Sequence, residues 1–261
     1  MRRMAVIWII MILCAFPSAV FATHHDEWQR LDKISDQALQ LAKNKRFEEA
    51  KDVLNYFSDE FLKLNARDRL KSMDEWRAIT ITHENALKAI TASTLPAEDR
   101  IDQVVQFRLV IDAVHSNYQP LWAEMESSIM GAFQEIETAI ESGDEQQFQT
   151  VLQQFLHQYE IIEPSVKIDV EPAWAKKADQ DIEQLQSPSF HALDKAKQQE
   201  QLAQMRQDLA ALFNHMKKDE ADSSLLWVMI STGGMIILTL TYVGFRKYRG
   251  EKQKARSHEK Q

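Results

Sequence analysis

The chain has 261 residues, 44% of them hydrophobic and 27% charged, and a formal net charge of −8. An acidic balance is repelled by nucleic acid and by anionic headgroups, so no nucleic-acid partner is expected. The single cysteine, Cys14, excludes an internal disulfide and a cysteine metal site.

Residues 1–22 read as a secretory signal peptide. Arg2 and Arg3 precede the apolar run Ala5–Phe16, and Val20-Phe21-Ala22 supplies small residues for cleavage after Ala22. An uncleaved anchor is the alternative, and it leaves the central domain outside as well. Leu13 before Cys14 does not suit lipidation, so Cys14 leaves with the signal. Cleavage after Ala22 sets His25 third from a free amine, a Cu²⁺ or Ni²⁺ chelate spacing. Incidental histidines at a terminus are the simpler account, and no metal site is assigned.

Glycine usage sets the fold class. Gly233, Gly234, Gly244 and Gly250 lie in or after a C-terminal apolar run, leaving Gly131 and Gly143 for the body of the chain. A sheet protein of this size needs many tight turns, which draw on glycine. Good helix formers dominate instead. The expected class is all-α.

Apolar positions then fall at helical spacing. From Asp26 they are Trp28, Leu31, Ile34, Ala38 and Leu41, and Asn44-Lys45 interrupts them. A second helix from Arg46 carries Phe47, Ala50, Leu54, Phe57, Phe61 and Leu64, and a third over 71–91 carries Trp76, Ile79, His83, Leu87 and Ile90. The fourth, Ala97–Asn117, is apolar over most of its circumference and should be the most buried helix of the first half. Helices over Leu121–Ile140 and Glu145–Ile162 follow. The stretch Pro164–Pro172 reads as irregular, with Val166, Ile168 and Val170 alternating as in an extended piece. Ala173–Leu185 and Phe190–Lys217 complete the domain.

The two halves overlay at one offset. Ninety-eight residues separate Leu54 from Leu152, Phe57 from Phe155, Phe61 from Tyr159, Trp76 from Trp174 and Arg108 from Arg206. This predicts two duplicated helical units, 23–118 and 119–217. The stretch Ala38–Leu54, with Arg46-Phe47-Glu48-Glu49-Ala50, has the look of a tetratricopeptide-like hairpin. What that implies is stacked antiparallel hairpins with a groove for a protein or peptide.

After a linker, 218–224, comes Leu225–Phe245, about 21 residues without a charge, long enough to cross a hydrocarbon core of about 30 Å. Thr239 and Thr241 can return their hydroxyls to helix carbonyls. Seven cations follow in the tail 246–261, against Glu251 and Glu259. The positive-inside rule places this tail in the cytoplasm and the helical domain outside, as a single-pass cell-membrane protein. With Arg2, Arg3 and the tail charges set aside, 22 cations face 37 anions, so the outer part carries about −15.

Catalytic signals are few. His83-Glu84 begins a zincin-like motif, but Leu87 stands where the second histidine belongs. Neither a glycine-rich phosphate loop nor a G-x-S-x-G elbow occurs. No catalytic residue and no cofactor is assigned, and the chain is not read as an enzyme. Trp28, Trp76, Trp122 and Trp174 are read as core. Arg108, among apolar neighbours, is the one candidate site residue. It needs either an ion-pair partner, such as Asp112 one turn on or a neighbouring helix, or an anionic ligand between helices.

The signal peptide, Arg46-Phe47-Glu48-Glu49-Ala50 with Leu54, Phe57 and Phe61, Trp76, and the span ending Gly244-Phe245-Arg246-Lys247-Tyr248 together resemble the YpjB family of sporulation proteins of endospore-forming bacilli. The resemblance covers essentially the whole chain. It implies a membrane protein that contributes to spore formation and brings no catalytic or binding residue. The expected role is binding another protein of the cell envelope, with a small-anion or peptide receptor at Arg108 as the alternative.

Overall fold

The computed structural model describes residues 22–64, 70–115 and 119–214, and beyond them Met229, Thr232, Gly233, Ile236, Ile237 and Thr241. Residues 1–21 of the expected signal, the linker 218–224 and the tail 246–261 lie outside the described residues. Contacts divide the chain into two units, Met1–Leu212 and Phe213–Gln261.

The first unit is helical, and among the described residues there is no strand. Helix α1 (Ala22–Lys43) turns Leu31, Ile34, Ala38 and Ala42 inward at steps of three and four, the stripe one helix face presents to a core. Its end is a Schellman cap. The Lys45 N–H donates to Ala42 O and the Arg46 N–H to Leu41 O, both at 2.9 Å, with Lys45 left-handed at φ 58°. Helix α2 (Phe47–Lys63) buries Ala50, Leu54, Phe57 and Phe61. Helix α3 (Met73–Thr91) starts on Ser72, whose Oγ accepts the Glu75 N–H at 3.1 Å. Helix α4 (Ala97–His115) follows.

Helices α1 to α4 form a closed ring of neighbours, because α4 packs on α1 as well as on α3. The interior is filled. The Phe57 ring meets the Phe107 ring edge-on at 4.8 Å and stacks on Phe61 at 5.7 Å. The hairpin stack with an open groove, expected from the tetratricopeptide-like pattern, is therefore not the pairing found over these helices. Closure by α4 covers the face where such a groove would lie. The tetratricopeptide-like spacing records helical hairpins, which a four-helix bundle also contains.

Helix α4 has two buried faces. Val104, Phe107, Val110 and Ile111 belong to the core of the first bundle. Leu109 and Ala113 are equally buried but lie outside that core, and α4 also packs on α6. This explains the apolar circumference seen in the sequence.

In the second half, a 3₁₀ turn (Leu121–Met125) leads into α5 (Glu126–Ser142). Then come α6 (Glu145–Asp169), α7 (Pro172–Gln186), the short α8 (Pro188–His191) and α9 over 195–214. Phe133, Phe155, Leu185, Met205 and Leu209 converge from α5, α6, α7 and α9 around a void of about 10 Å³. The final helix expected over Phe190–Lys217 is divided. Ser187 caps α8 by accepting the Phe190 N–H, and Asp194 caps α9 by accepting the Lys197 N–H at 3.0 Å. Two local caps specify two starts where periodicity alone shows one run.

The larger correction is at Pro164. The expected irregular stretch continues α6 as helix to Asp169, with Pro164 inside. Val166 is fully buried, and Ile168 packs on the first bundle's core. An interior proline removes the N–H that would serve the carbonyl four residues back, here Glu160. That carbonyl instead accepts the Gln106 Nε2–H from α4 at 2.7 Å.

Among the described residues no helix is long and apolar enough to cross a membrane. The expected transmembrane helix, 225–245, lies outside the described residues except at six positions, so it is not an element of the fold as described. Those six are helical. Met229, Ile236 and Ile237 are exposed, and the Thr241 hydroxyl donates to Ile237 O at 2.7 Å.

Candidate functional site

Arg108 sits on α4 and is 8% exposed. Its Nη1 lies 2.9 Å from Asp32 Oδ1 on α1 and 3.7 Å from Asp112 Oδ1, while its Nε lies 3.9 Å from Asp36 Oδ1. Neither nitrogen has an acceptor in good hydrogen-bond geometry, so the attraction is one of charge rather than direction. Asp112 is the partner read from the sequence. Asp32 and Asp36 are not, because only the ring closure brings α1 to α4. Three carboxylates round one guanidinium leave the locus negative, and a further anion would meet their repulsion.

The same cluster reaches the joint between the bundles. Asp112 Oδ2 accepts the Leu121 N–H at 2.7 Å, and burial raises its carboxyl above the ordinary range. The fully buried Trp122 donates its Nε1–H to Asp169 Oδ2 at 2.8 Å, at the end of α6. Burial pushes the Asp169 carboxyl up to about 7. The charges of Asp112 and Glu75 add to this, and the Trp122 hydrogen bond and Lys71 oppose it. Alongside, His157 Nε2 on α6 is 3.0 Å from Asp102 Oδ2 on α4. Asp102, Gln106, Leu109 and Ala113 thus form the α4 stripe that meets α6.

His83, placed by the sequence on the apolar stripe of its helix, is buried. Its Nε2 is 2.8 Å from Leu54 O, and its ring stacks on Phe57 at 5.5 Å and meets Phe107 at 5.3 Å. Burial holds its pKa below the ordinary imidazole value, so the neutral ring donates to the carbonyl. This is a packing role. The side chains of His24 and His25 lie outside the described residues. Among the described residues no group of three or more His, Cys, Asp or Glu could hold a metal ion. Of the four tryptophans read as core, Trp122 is fully buried, whereas Trp28, Trp76 and Trp174 are half-buried.

A second locus lies in the second half of the domain. Between α6 and α7 runs a groove of about 720 Å³. Leu156 and Ile182 form its apolar part, and Glu160, Glu163, Asp179 and Glu183 are its carboxylates. The signal available in the sequence is the spacing of Glu160 and Glu163 on α6 and of Asp179 and Glu183 on α7. Helical steps of three and four put each pair on one face. Which two faces meet is decided by the fold.

These elements define a class, a double helical bundle with a charged joint and an acidic groove. Within that class, residues 28–257 match the sporulation protein YpjB (SpoYpjB) family, and the chain belongs to it. It is also 29% identical over 261 residues to a protein of Bacillus subtilis (strain 168) described as uncharacterized protein YpjB, covering 99% of each chain. No solved structure matches.

Proposed function

We propose that this sporulation-family protein is a single-pass membrane protein whose helical domain lies outside the cytoplasm and works by binding another envelope protein. The observation that carries the binding role is how the bundle interiors are used. They are filled with side chains, and the buried Arg108 and His83 and the half-buried Asp112 and Asp169 hold helices together. Room for a partner is on the surface. The outward apolar side chains of Met229, Ile236 and Ile237, and the hydroxyl that Thr241 returns to its own helix, support the membrane anchor. Arg108 does not favour the alternative of an anion receptor, since it already faces three carboxylates.

We also infer that the domain arose by duplication. Phe47–Lys63 and α6 begin 98 residues apart, at 47 and 145, and α4 and α9 begin at 97 and 195. Lys45 and Gly143, again 98 apart, are both left-handed at the turn after the first helix. Arg108 and Arg206 both reach from the fourth helix of a bundle to an acid on its first, Arg206 by a two-pronged pair with Glu137.

Crosslinking in sporulating cells followed by pull-down of the full chain tests the binding role. A specific envelope partner is expected, and recovery of none with the domain folded counts against it. A reporter fused after Gln261 should be active in the cytoplasm; activity outside overturns the topology.

A further inference from the structure

The α6/α7 groove deepens the reading that the chain binds an envelope protein, and it rests on that reading. Leu156 on α6 and Ile182 on α7 are half-buried and form an apolar floor. Gln153 and Glu163 on α6 both line the groove, so it extends over ten residues of helix, about 15 Å. This suits two to three turns of a docked helix.

Lys167 shows what the rims accept. Its ammonium bridges the two helices, 2.5 Å from Glu163 Oε1 and 3.0 Å from Asp179 Oδ2. Further along the same groove, Glu160 and Glu183 have no ion-pair partner among the described residues. Tyr159, 4% exposed, also lines the groove, and burial with the neighbouring carboxylates of Asp179 and Glu163 keeps its phenol protonated.

We propose that this groove is the docking site for a basic amphipathic helix of the protein partner. Its leucine-type side chains would cover Leu156 and Ile182, and a lysine or arginine would sit between Glu160 and Glu183 as Lys167 sits between Glu163 and Asp179. The charge of the rims selects this occupant over an acidic segment.

The direct test uses the full chain in nanodiscs of zwitterionic lipid, with empty nanodiscs as the blank. The probe is a fluorescent fourteen-residue peptide with leucine and lysine at helical spacing, and its counterpart with glutamate for lysine. Anisotropy should report saturable binding of the lysine peptide alone, weakening as salt rises. The double variant Glu160→Gln, Glu183→Gln should lose at least tenfold in affinity while its circular dichroism is unchanged. Equal binding by the double variant overturns the proposal, as does equal binding of both peptides.

Photocrosslinkers at Glu183 and at Glu84, on the first bundle, separate this proposal from the reading beneath it. A protein adduct from position 183 that disappears with Glu160→Gln supports the groove. An adduct from position 84 alone overturns the groove but leaves the binding role standing. A second copy of this chain, or residues 246–261, captured at position 183 overturns the foreign helix. No adduct from either position counts against the binding role as well.

Discussion

The Nε2–H of Gln106 donates to the carbonyl oxygen of Glu160 at 2.7 Å, which is the carbonyl that Pro164 leaves without its helical partner. An interior proline costs roughly 3 kcal/mol through a lost N–H and a steric clash. A side chain from α4 repairs the hydrogen-bond part of that cost. The repair lets α6 run on to Asp169, which places Ile168 on the first core and Asp169 beside Trp122. One side-chain amide thereby ties the two bundles together.

Replacing Gln106 by Ala should therefore cost roughly 1–3 kcal/mol, the penalty of a buried acceptor left unsatisfied. In a Pro164→Ala background the cost should fall by half or more, because the restored N–H of residue 164 can take over the Glu160 carbonyl. Denaturant unfolding of the four chains of this cycle, in detergent, reads the coupling. Equal cost in both backgrounds would mean that the amide acts only through packing.

Lys45 adopts φ 58° where Gly143 adopts 71°, at matching turns. A side chain in the left-handed region is strained, and glycine relieves it. Lys45→Gly should stabilise the domain by up to about 1 kcal/mol, and Gly143→Ala should destabilise it by about as much. Thermal unfolding of the two variants should move in opposite directions from the parent.

Arg108→Met should destabilise by roughly 2–4 kcal/mol, since it leaves Asp32, Asp36 and Asp112 facing one another without the cation. Adding Asp32→Asn should recover part of the loss, because it removes one of the repelling charges. A parent-like melting temperature for Arg108→Met would show that the cluster contributes nothing to stability.

The half-buried Asp169 and the buried His83 set opposite pH trends. Asp169 has a folded pKa of about 7, above the unfolded value of 3.8. The native state thus holds a proton that the unfolded chain releases, and this stability is full below about pH 4 and lost as pH rises toward 7. At about 1.4 kcal/mol per pKa unit the loss is up to roughly 4 kcal/mol, before relaxation reduces it. Asp169→Asn keeps an oxygen for Trp122 and should flatten this slope. His83 is depressed below 6.5, so its contribution is present above that pH and lost as pH falls. His83→Gln should reduce the loss on acidification. Urea unfolding from pH 4.5 to 8 separates the two effects.

Much of the architecture was legible in the residues. Steps of three and four at Leu31, Ile34, Ala38 and at Leu54, Phe57, Phe61 place their helices correctly, because the period of an amphipathic helix is a local property. The all-round apolar pattern of α4 likewise announced deep burial, and the fold showed that it comes from packing on two faces. Pro164 misled for the converse reason. Its ordinary effect is local, and the group that cancels it lies 58 residues earlier in the chain, at Gln106. Arg108 was legible as a buried charge in need of a partner, and Asp112 as a candidate at helical spacing. Asp32 and Asp36 were not, since nothing in a single helix says which neighbour will close the ring.

By itself, then, the sequence determined the helical class, the faces that α1 to α3 bury and the membership of the sporulation family, because periodicity and residue identity are written along the chain. The tertiary structure alone decided that α4 closes on α1, that α6 passes through Pro164, and that the carboxylates of α6 and α7 share one groove. Each of these depends on groups far apart in sequence whose hydrogen bonds and charges meet only after the helices have packed.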